Sequence, residues 1–303
     1  MSEQLNRPAF WSHLLAWLVF VLCWLLAHLP RGLLLSMGRG IGWLFKVLFK
    51  SRRAVIEKNI QSCFPELAKK DQQSLIDQNY RETGMMVSQT LRTFLNRSST
   101  PFKDLEIEGQ EYLEQAKAAE QGVLLVSGHF TALDVGGRAI CEQFPIAGVY
   151  RPHKNPVQEY VVKKSRLQYA NGMFTRDELK GMVKYLKGGG VLWYAPDQDY
   201  RRGQSVFVDF FGTQASTITA THQLARISGC QVMFYAVKRV SQYPYYRLSV
   251  SAPLTDFPSK NVQADTQRVN DQIEQMVKQA PEQYLWLHKR FKTRPSDSSE
   301  SFY

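Results

Sequence analysis

From residue 9 to residue 29 no Asp, Glu, Lys or Arg interrupts the chain, and Leu14 through Ala27 is apolar throughout, with Trp11, Trp17 and Trp24 spread along it. A run of this length and character predicts a helix that enters a bilayer. No small-residue cleavage site follows and the apolar character resumes at once, which argues for an anchor over a cleaved leader. From Gly32 to Phe49, Leu33, Leu34, Leu35, Ile41, Trp43, Leu44, Phe45, Val47 and Leu48 are mixed with Arg39 and Lys46. That mixture suits a helix lying in a membrane interface. The pattern then changes. From Asp71, a plausible N-cap, apolar positions recur at helical spacing through Leu75, Ile76, Tyr80, Met85, Leu91 and Phe94.

Beyond that helix, short β-rich runs alternate with helical ones. Residues 122–127, 146–150, 191–195, 232–237 and 246–250 read as strands, and 157–169, 178–186 and 217–227 as helices; 265–279 and 282–290 add two more helices. Alternation of this kind predicts an α/β fold with a mixed, largely parallel sheet flanked by helices, preceded by an N-terminal membrane-anchoring helix. Three parts are expected: a membrane anchor over 1–50, one globular domain over 51–294, and a Ser- and Asp-rich tail over 295–303 expected to be disordered.

Composition adds a constraint on partners. The 303 residues carry a formal charge of +11, with a pI near 9.4, which points to an anionic partner without choosing among nucleic acid, membrane and phosphorylated substrate. Placement is more informative: Arg31, Arg39, Lys46, Lys50, Arg52 and Arg53 all follow the apolar run, which by the positive-inside tendency puts the globular part on the cytoplasmic side. Cys23, Cys63, Cys141 and Cys230 show no paired spacing and fit a reducing compartment.

The candidate chemistry starts at the apolar run Gly122 to Ser127, which ends at Gly128-His129, with Asp134 five residues on. Ligands of open α/β sheets bind at such carboxyl ends of strands. Five residues of one helix turn through about 140°, so the pair can meet only if His129 is on the loop and Asp134 on the first helical turn. In that geometry Asp134 accepts the imidazole Nδ1 proton and Nε2 is left to deprotonate a hydroxyl. The chain contains no Gly-x-Ser-x-Gly elbow, so attack by an acceptor's own hydroxyl is the simpler expectation. Two further strand ends are polar: Tyr150-Arg151-Pro152-His153-Lys154 and Ala195-Pro196-Asp197-Gln198-Asp199-Tyr200-Arg201-Arg202. Arg151, Lys154, Arg201 and Arg202 are candidates to bind phosphate or an oxyanion, with Asp197, Gln198 and Asp199 beside them. The segment 206–212 reads as an apolar loop before a helix start at Ser216-Thr217-Ile218-Thr219, whose free amides can hold an anion. A metal hydrolase recruiting His129, Asp134, His153, Asp197 and Asp199 lacks any paired ligand spacing, so no metal and no cofactor are expected. No nucleic-acid-binding fold is recognisable.

Several segments in order, Arg53 to Glu66, His129 to Asp134, Tyr150-Arg151, Asp197 to Tyr200, Phe207 to Gly212 and Pro281 to Pro295, give a pattern that resembles the bacterial lipid A biosynthesis acyltransferases, within the lysophospholipid acyltransferase superfamily. The resemblance implies an acyltransferase domain over 51–294 at the bacterial inner membrane, facing the cytoplasm. It implies transfer of a fatty acyl chain, lauroyl or myristoyl, from acyl carrier protein to a hydroxyacyl hydroxyl of a phosphorylated glucosamine-disaccharide lipid. His129 and Asp134 are then the catalytic dyad, and Arg151, Lys154, Asp197, Gln198, Asp199, Arg201 and Arg202 substrate-binding residues. Lys163, Lys164, Arg166, Lys289, Arg290 and Lys292 become cations for carrier, membrane or substrate phosphate. Where the family commonly reads His-Phe-Gly-Asn-Trp-Glu, this chain has His129-Phe-Thr-Ala-Leu-Asp134, a carboxylate one methylene shorter. The alternative within the superfamily is a lysophospholipid or other glycolipid acyltransferase, but the glycerolipid branch looks for a Phe-Pro-Glu-Gly-Thr-like segment where this chain has Ala195 to Asp199.

Overall fold

The computed structural model describes residues 6–96, 105–201, 203–243, 245–295 and 301–303. In chain order the elements are α1 (Leu14–Ala27), α2 (Arg31–Leu48), α3 (Lys50–Cys63), α4 (Lys69–Leu95), β1 (Leu105–Glu108), α5 (Gln110–Ala118), β2 (Val123–Val126), α6 (Leu133–Cys141), β3 (Ile146–Tyr150), α7 (Pro156–Arg166), β4 (Gly172–Thr175), α8 (Leu179–Lys187), β5 (Val191–Tyr194), β6 (Ser205–Phe210), β7 (Thr213–Ile218), α9 (Ala220–Ser228), β8 (Gln231–Arg239), β9 (Tyr246–Val250) and α10 (Val262–Gln279). Seven strands form one sheet in the order β1-β9-β8-β2-β5-β3-β4, and every neighbouring pair is parallel except β8 with β9. This is the mixed, largely parallel α/β sheet the alternation predicts.

The uninterrupted apolar run of β2 follows from its central place, between β8 and β5. Its side chains alternate across the sheet. Leu124 and Val126 enter a core built with α3, α4, α8, α9 and α10, while Val123 and Leu125 enter a second core with α5 and α6. All four are wholly buried, each worth about 1.5–3 kcal/mol of removal from water.

Three local expectations are overturned. The segment 206–212 is no loop, and Ser216 to Thr219 starts no helix: β6 and β7 form an antiparallel hairpin with Phe210 opposite Thr213. Phe211 (φ 51°) and Gly212 (φ 69°) supply the left-handed two-residue turn such a hairpin needs, and β-branched Thr217 and Ile218 suit the returning strand. The helix expected over 282–290 is absent too; a short 3-10 turn at Pro281–Gln283 gives way to extended chain. Distant partners outcompete the helix there. Asn59 Nδ2 donates to the carbonyls of Trp286 (2.7 Å) and His288 (2.9 Å), and Asn79 Nδ2 to those of Glu282 and Tyr284 (2.8 Å each). Finally, α4 starts at Lys69 behind Ala68, so Asp71 lies in the first turn, where its charge favours the helix, and is not the cap.

At the N-terminus α1 has 14 residues, and among the described residues no single helix is long and apolar enough to cross a membrane. The helix α2 breaks at Phe49 and meets α3 at 98°. Its backbone lies directly on α4: a Cβ at Gly42 would stand 2.2 Å from the carbonyl oxygen of Tyr80, and one at Gly84 would stand 2.1 Å from that of Gly38. Only glycine permits that approach, and it turns Trp43, Leu44, Val47 and Leu48 outward. At the other end, residues 296–300 lie outside the described residues, but Phe302 and Tyr303 are packed, against the expectation of a disordered tail. Phe302 stacks on Phe291 at 4.8 Å, and Tyr303 donates its hydroxyl hydrogen to Asn59 Oδ1 at 2.6 Å.

Candidate active site

Because β2, β3 and β5 run parallel, their carboxyl ends reach one edge of the sheet. There His129, Arg151 and Gln198 line a cavity of about 510 Å3 together with Trp193, Tyr194, Asp199, Tyr200, Arg176 and Asp177. The structure thus brings together residues from three of the strand ends singled out by sequence. Lys154 is exposed on the loop before α7 and is not among the residues lining this cavity. Arg202 lies outside the described residues.

The backbone of His129 is held from two sides. Its N–H donates to Asp197 Oδ2 (2.8 Å), and its carbonyl accepts from Leu285 N (3.0 Å) in a short antiparallel contact that also pairs Phe130 with Tyr284. The imidazole is held as well: Nδ1 lies 2.5 Å from Asp197 Oδ1. Tyr284 adds a hydroxyl hydrogen bond to Asp197 Oδ2 at 2.9 Å, so the buried carboxylate accepts three hydrogen bonds. This corrects the pairing expected from the five-residue spacing. Asp134 does lie on the first turn of α6, but its carboxylate turns to α7 and α4, accepting from Arg166 Nη2 (2.9 Å) and Thr90 Oγ1 (3.1 Å). The imidazole partner comes from the end of β5, which the parallel register of β2 and β5 sets beside His129.

Electrostatics follow the geometry. Burial alone would raise Asp197, yet the charge and hydrogen bonds of His129 and the hydroxyl of Tyr284 carry it well below the ordinary carboxylate range. Burial pulls His129 down, but Asp197, by charge and hydrogen bond, and Asp134, by charge, leave it above its usual 6.5. The chemistry available is that of a base with one ring nitrogen tied to a carboxylate on a side chain that lines a cavity.

Four of the remaining candidates have structural partners. Asp199 accepts from the amide (2.8 Å) and hydroxyl (3.0 Å) of Thr293, and Arg201 Nε reaches that same hydroxyl at 3.1 Å, so both tie down the C-terminal segment. Arg166 is committed to Asp134, and Arg290 is buried, donating to Ser216 O (2.9 Å) and Thr217 Oγ1 (2.6 Å). Neither is a free surface cation. Besides the cavity residues Arg176 and Asp177, two neighbours of the dyad were not among the site residues read from sequence: Tyr284, and His288, whose ring centre stands 5.8 Å from that of His129. Their signal was polar groups set in the apolar run Tyr284-Leu-Trp286-Leu-His288, masked by the helix assigned there.

A second, larger cavity of about 840 Å3 lies between α1, α4 and α7; Leu15, Val19, Phe20, Leu91, Phe94 and Val161 give it apolar walls, and Asp134 with Arg166 line it as well. Among the described residues no group of three or more His, Cys, Asp or Glu side chains is placed to hold a metal ion.

The family model of the bacterial lipid A biosynthesis acyltransferases matches residues 3–293. The chain belongs to that family. It is 35% identical to the lipid A biosynthesis lauroyltransferase of Escherichia coli K12, over 97% of this chain and 95% of that one. It is 34% identical to the palmitoleoyltransferase of the same organism (99% and 97% covered) and 25% identical to its myristoyltransferase (97% and 90%). Among solved structures, the 1-acyl-sn-glycerophosphate acyltransferase PlsC of Thermotoga maritima aligns with 82% of this chain and 96% of its own, at 14% identity and a TM-score of 0.38. As a lipid A acyltransferase the chain is an O-acyltransferase, so the cavity at His129 is a candidate place for acyl transfer.

Proposed function

We propose that the chain moves a lauroyl or myristoyl group from the thioester of an acyl carrier protein to the hydroxyl of a hydroxyacyl chain on a phosphorylated glucosamine-disaccharide lipid, with His129 as the general base. The observation that carries this reading is the split role of the imidazole: Nδ1 is fixed by Asp197 while the ring lines an open cavity. In the reaction His129 Nε2 takes the acceptor's proton as its oxygen bonds to the thioester carbon. The carbonyl becomes an oxyanion, the C–S bond then breaks, and the departing thiolate takes the proton back from His129. Asp197 steadies the imidazolium in between. The thioester brings the acyl group already activated, so no cofactor enters the scheme. Asp134, expected as the dyad carboxylate, acts one step away: it pairs Arg166 at the lipid side and adds its negative charge to the field at His129.

The larger cavity supports a lipid acceptor, because its walls come from α1, whose outer face exposes Leu15, Leu18, Leu22 and Leu25. At about 1.5 Å per residue, 14 residues reach part-way through a ~30 Å hydrocarbon layer, so α1 enters the inner membrane from the cytoplasmic side and leads the lipid to Asp134 and Arg166. Arg151 and Arg176, which line the same cavity as His129, supply charge for a substrate phosphate or the carrier's acidic surface. The test is transfer from acyl carrier protein to a lipid A precursor by the detergent-purified protein, followed by mass spectrometry of the product. Wild type should add one acyl chain and His129→Ala none; a folded His129→Ala protein with full activity would remove the base from the mechanism.

A further inference from the structure

The C-terminal segment carries a second histidine up against His129, and nothing in the scheme above uses it. His288 sits on extended chain whose carbonyl is held by Asn59 (2.9 Å) and whose amide donates to Leu285 O (3.3 Å), so the ring has a fixed base. Its Nε2 lies 3.2 Å from the amide nitrogen of Gln198, and its ring meets that of His129 edge to face. An amide nitrogen can only donate. The imidazole nitrogen facing it must therefore accept, which requires a neutral ring with its proton on Nδ1. The surroundings enforce neutrality: burial first, then the positive charge of His129, bring His288 down to about 4, with Asp197 opposing and Arg52 adding the least.

Gln198 lines the His129 cavity and directly follows Asp197, the residue that holds the catalytic imidazole. A primary amide has two N–H donors. With one given to His288, the carboxamide cannot rotate freely, and the other is left for the cavity. We propose that His288 is a positioning residue for acyl transfer: as a neutral acceptor it fixes the Gln198 amide so that its second N–H stabilises the oxyanion formed when the acceptor hydroxyl attacks the thioester carbonyl. The ring does no proton transfer itself. Its place beside His129 also lets it stay neutral when His129 takes the substrate's proton, since a new cation there only disfavours a second one. This inference rests on the reading of His129 as base, and its test separates the two.

The experiment is a double-mutant cycle on the full-length protein in detergent, measuring kcat and KM for the acyl donor with His288→Ala, Gln198→Ala and the double variant, beside His129→Ala. Loss of one oxyanion donor predicts a roughly 100-fold fall in kcat for Gln198→Ala with KM within about threefold. His288→Ala should fall about tenfold in kcat. The double variant should match Gln198→Ala alone, because His288 acts only through it. His288→Asn, which keeps an acceptor oxygen, should recover part of the loss and serves as the folded control if the alanine protein is unstable. Independent, multiplying effects, a loss confined to KM, or unchanged kcat in both His288 variants would overturn the proposal. If His129→Ala is active, the underlying mechanism fails; if only the His288 variants are unaffected, the mechanism stands and the positioning role falls.

Discussion

Among the described residues two histidine–aspartate pairs stand out, alike in their central contact and different in access. His129 Nδ1 stands 2.5 Å from Asp197, and His222 Nδ1 stands 2.8 Å from Asp265. Each aspartate also accepts from a backbone amide, that of His129 in one case and of Ser259 in the other. The His129 side chain keeps 26% exposure at the edge of the sheet and lines a cavity; that of His222 keeps 2%, packed between α9 and the start of α10. On the proposed reading the first pair receives a proton from a substrate, while the second, closed off, joins α9 to α10. Dyad geometry is therefore a structural device that chemistry borrows where a strand end opens to a cavity.

Breaking the pairs separately tests that contrast. The largest effect should come from His129→Ala, a fall of about 10³-fold or more in acyl transfer with the folded state kept, read as product formed per enzyme at saturating donor. Asp197→Asn should cost about 100-fold or more. It should also move the acidic limb of the rate profile to lower pH, because the base works only when neutral and Asp197 is what lifts its titration above 6.5. Asp134→Ala should lose about 100-fold as well, by leaving Arg166 unpaired beside the larger cavity, yet shift that limb less than Asp197→Asn does. A larger shift from Asp134→Ala would restore it as the direct partner. The counterpart, His222→Ala, should leave kcat unchanged and lower stability by about 2 kcal/mol in thermal unfolding, since it strands a buried carboxylate.

A further effect is a pH window in stability. The His129 contribution is fully present below 6.5 and is lost as pH rises through its raised folded value. The Asp197 contribution, with its folded value depressed, is present above 3.8 and is lost as pH falls. The stability gap between wild type and Asp197→Asn should thus be widest between these two pH values, by about 1–3 kcal/mol, and narrow on either side. A gap that widened above neutrality would contradict the charge assignment.

How far the sequence could be read depends on the range of the forces involved. The apolar run ending at Gly128-His129 marks the central strand and a residue at its mouth, because burial on both faces leaves an unbroken hydrophobic signal in the chain itself. The polar ends Tyr150-Arg151 and Asp197-Gln198 were legible for the same reason. The partner of His129 was not. Asp134 was near in sequence, while Asp197 is near only because β2 and β5 pair in parallel register, a choice made by the whole sheet. Local pattern also failed at 282–290, where helical spacing was real but side-chain amides of Asn59 and Asn79, from helices more than 200 positions away, claimed the backbone.

The sequence by itself determined the alternation of strands and helices, the family, and His129 as the residue at a strand's end, since each is written in local hydrophobic pattern and ordered motif. Tertiary structure alone decided which carboxylate holds that imidazole, which cations remain free, and that Tyr284 and His288 join the site. The reason is physical: a hydrogen bond is made over 3 Å of space, and nothing in the chain records which distant residues the fold will bring that close.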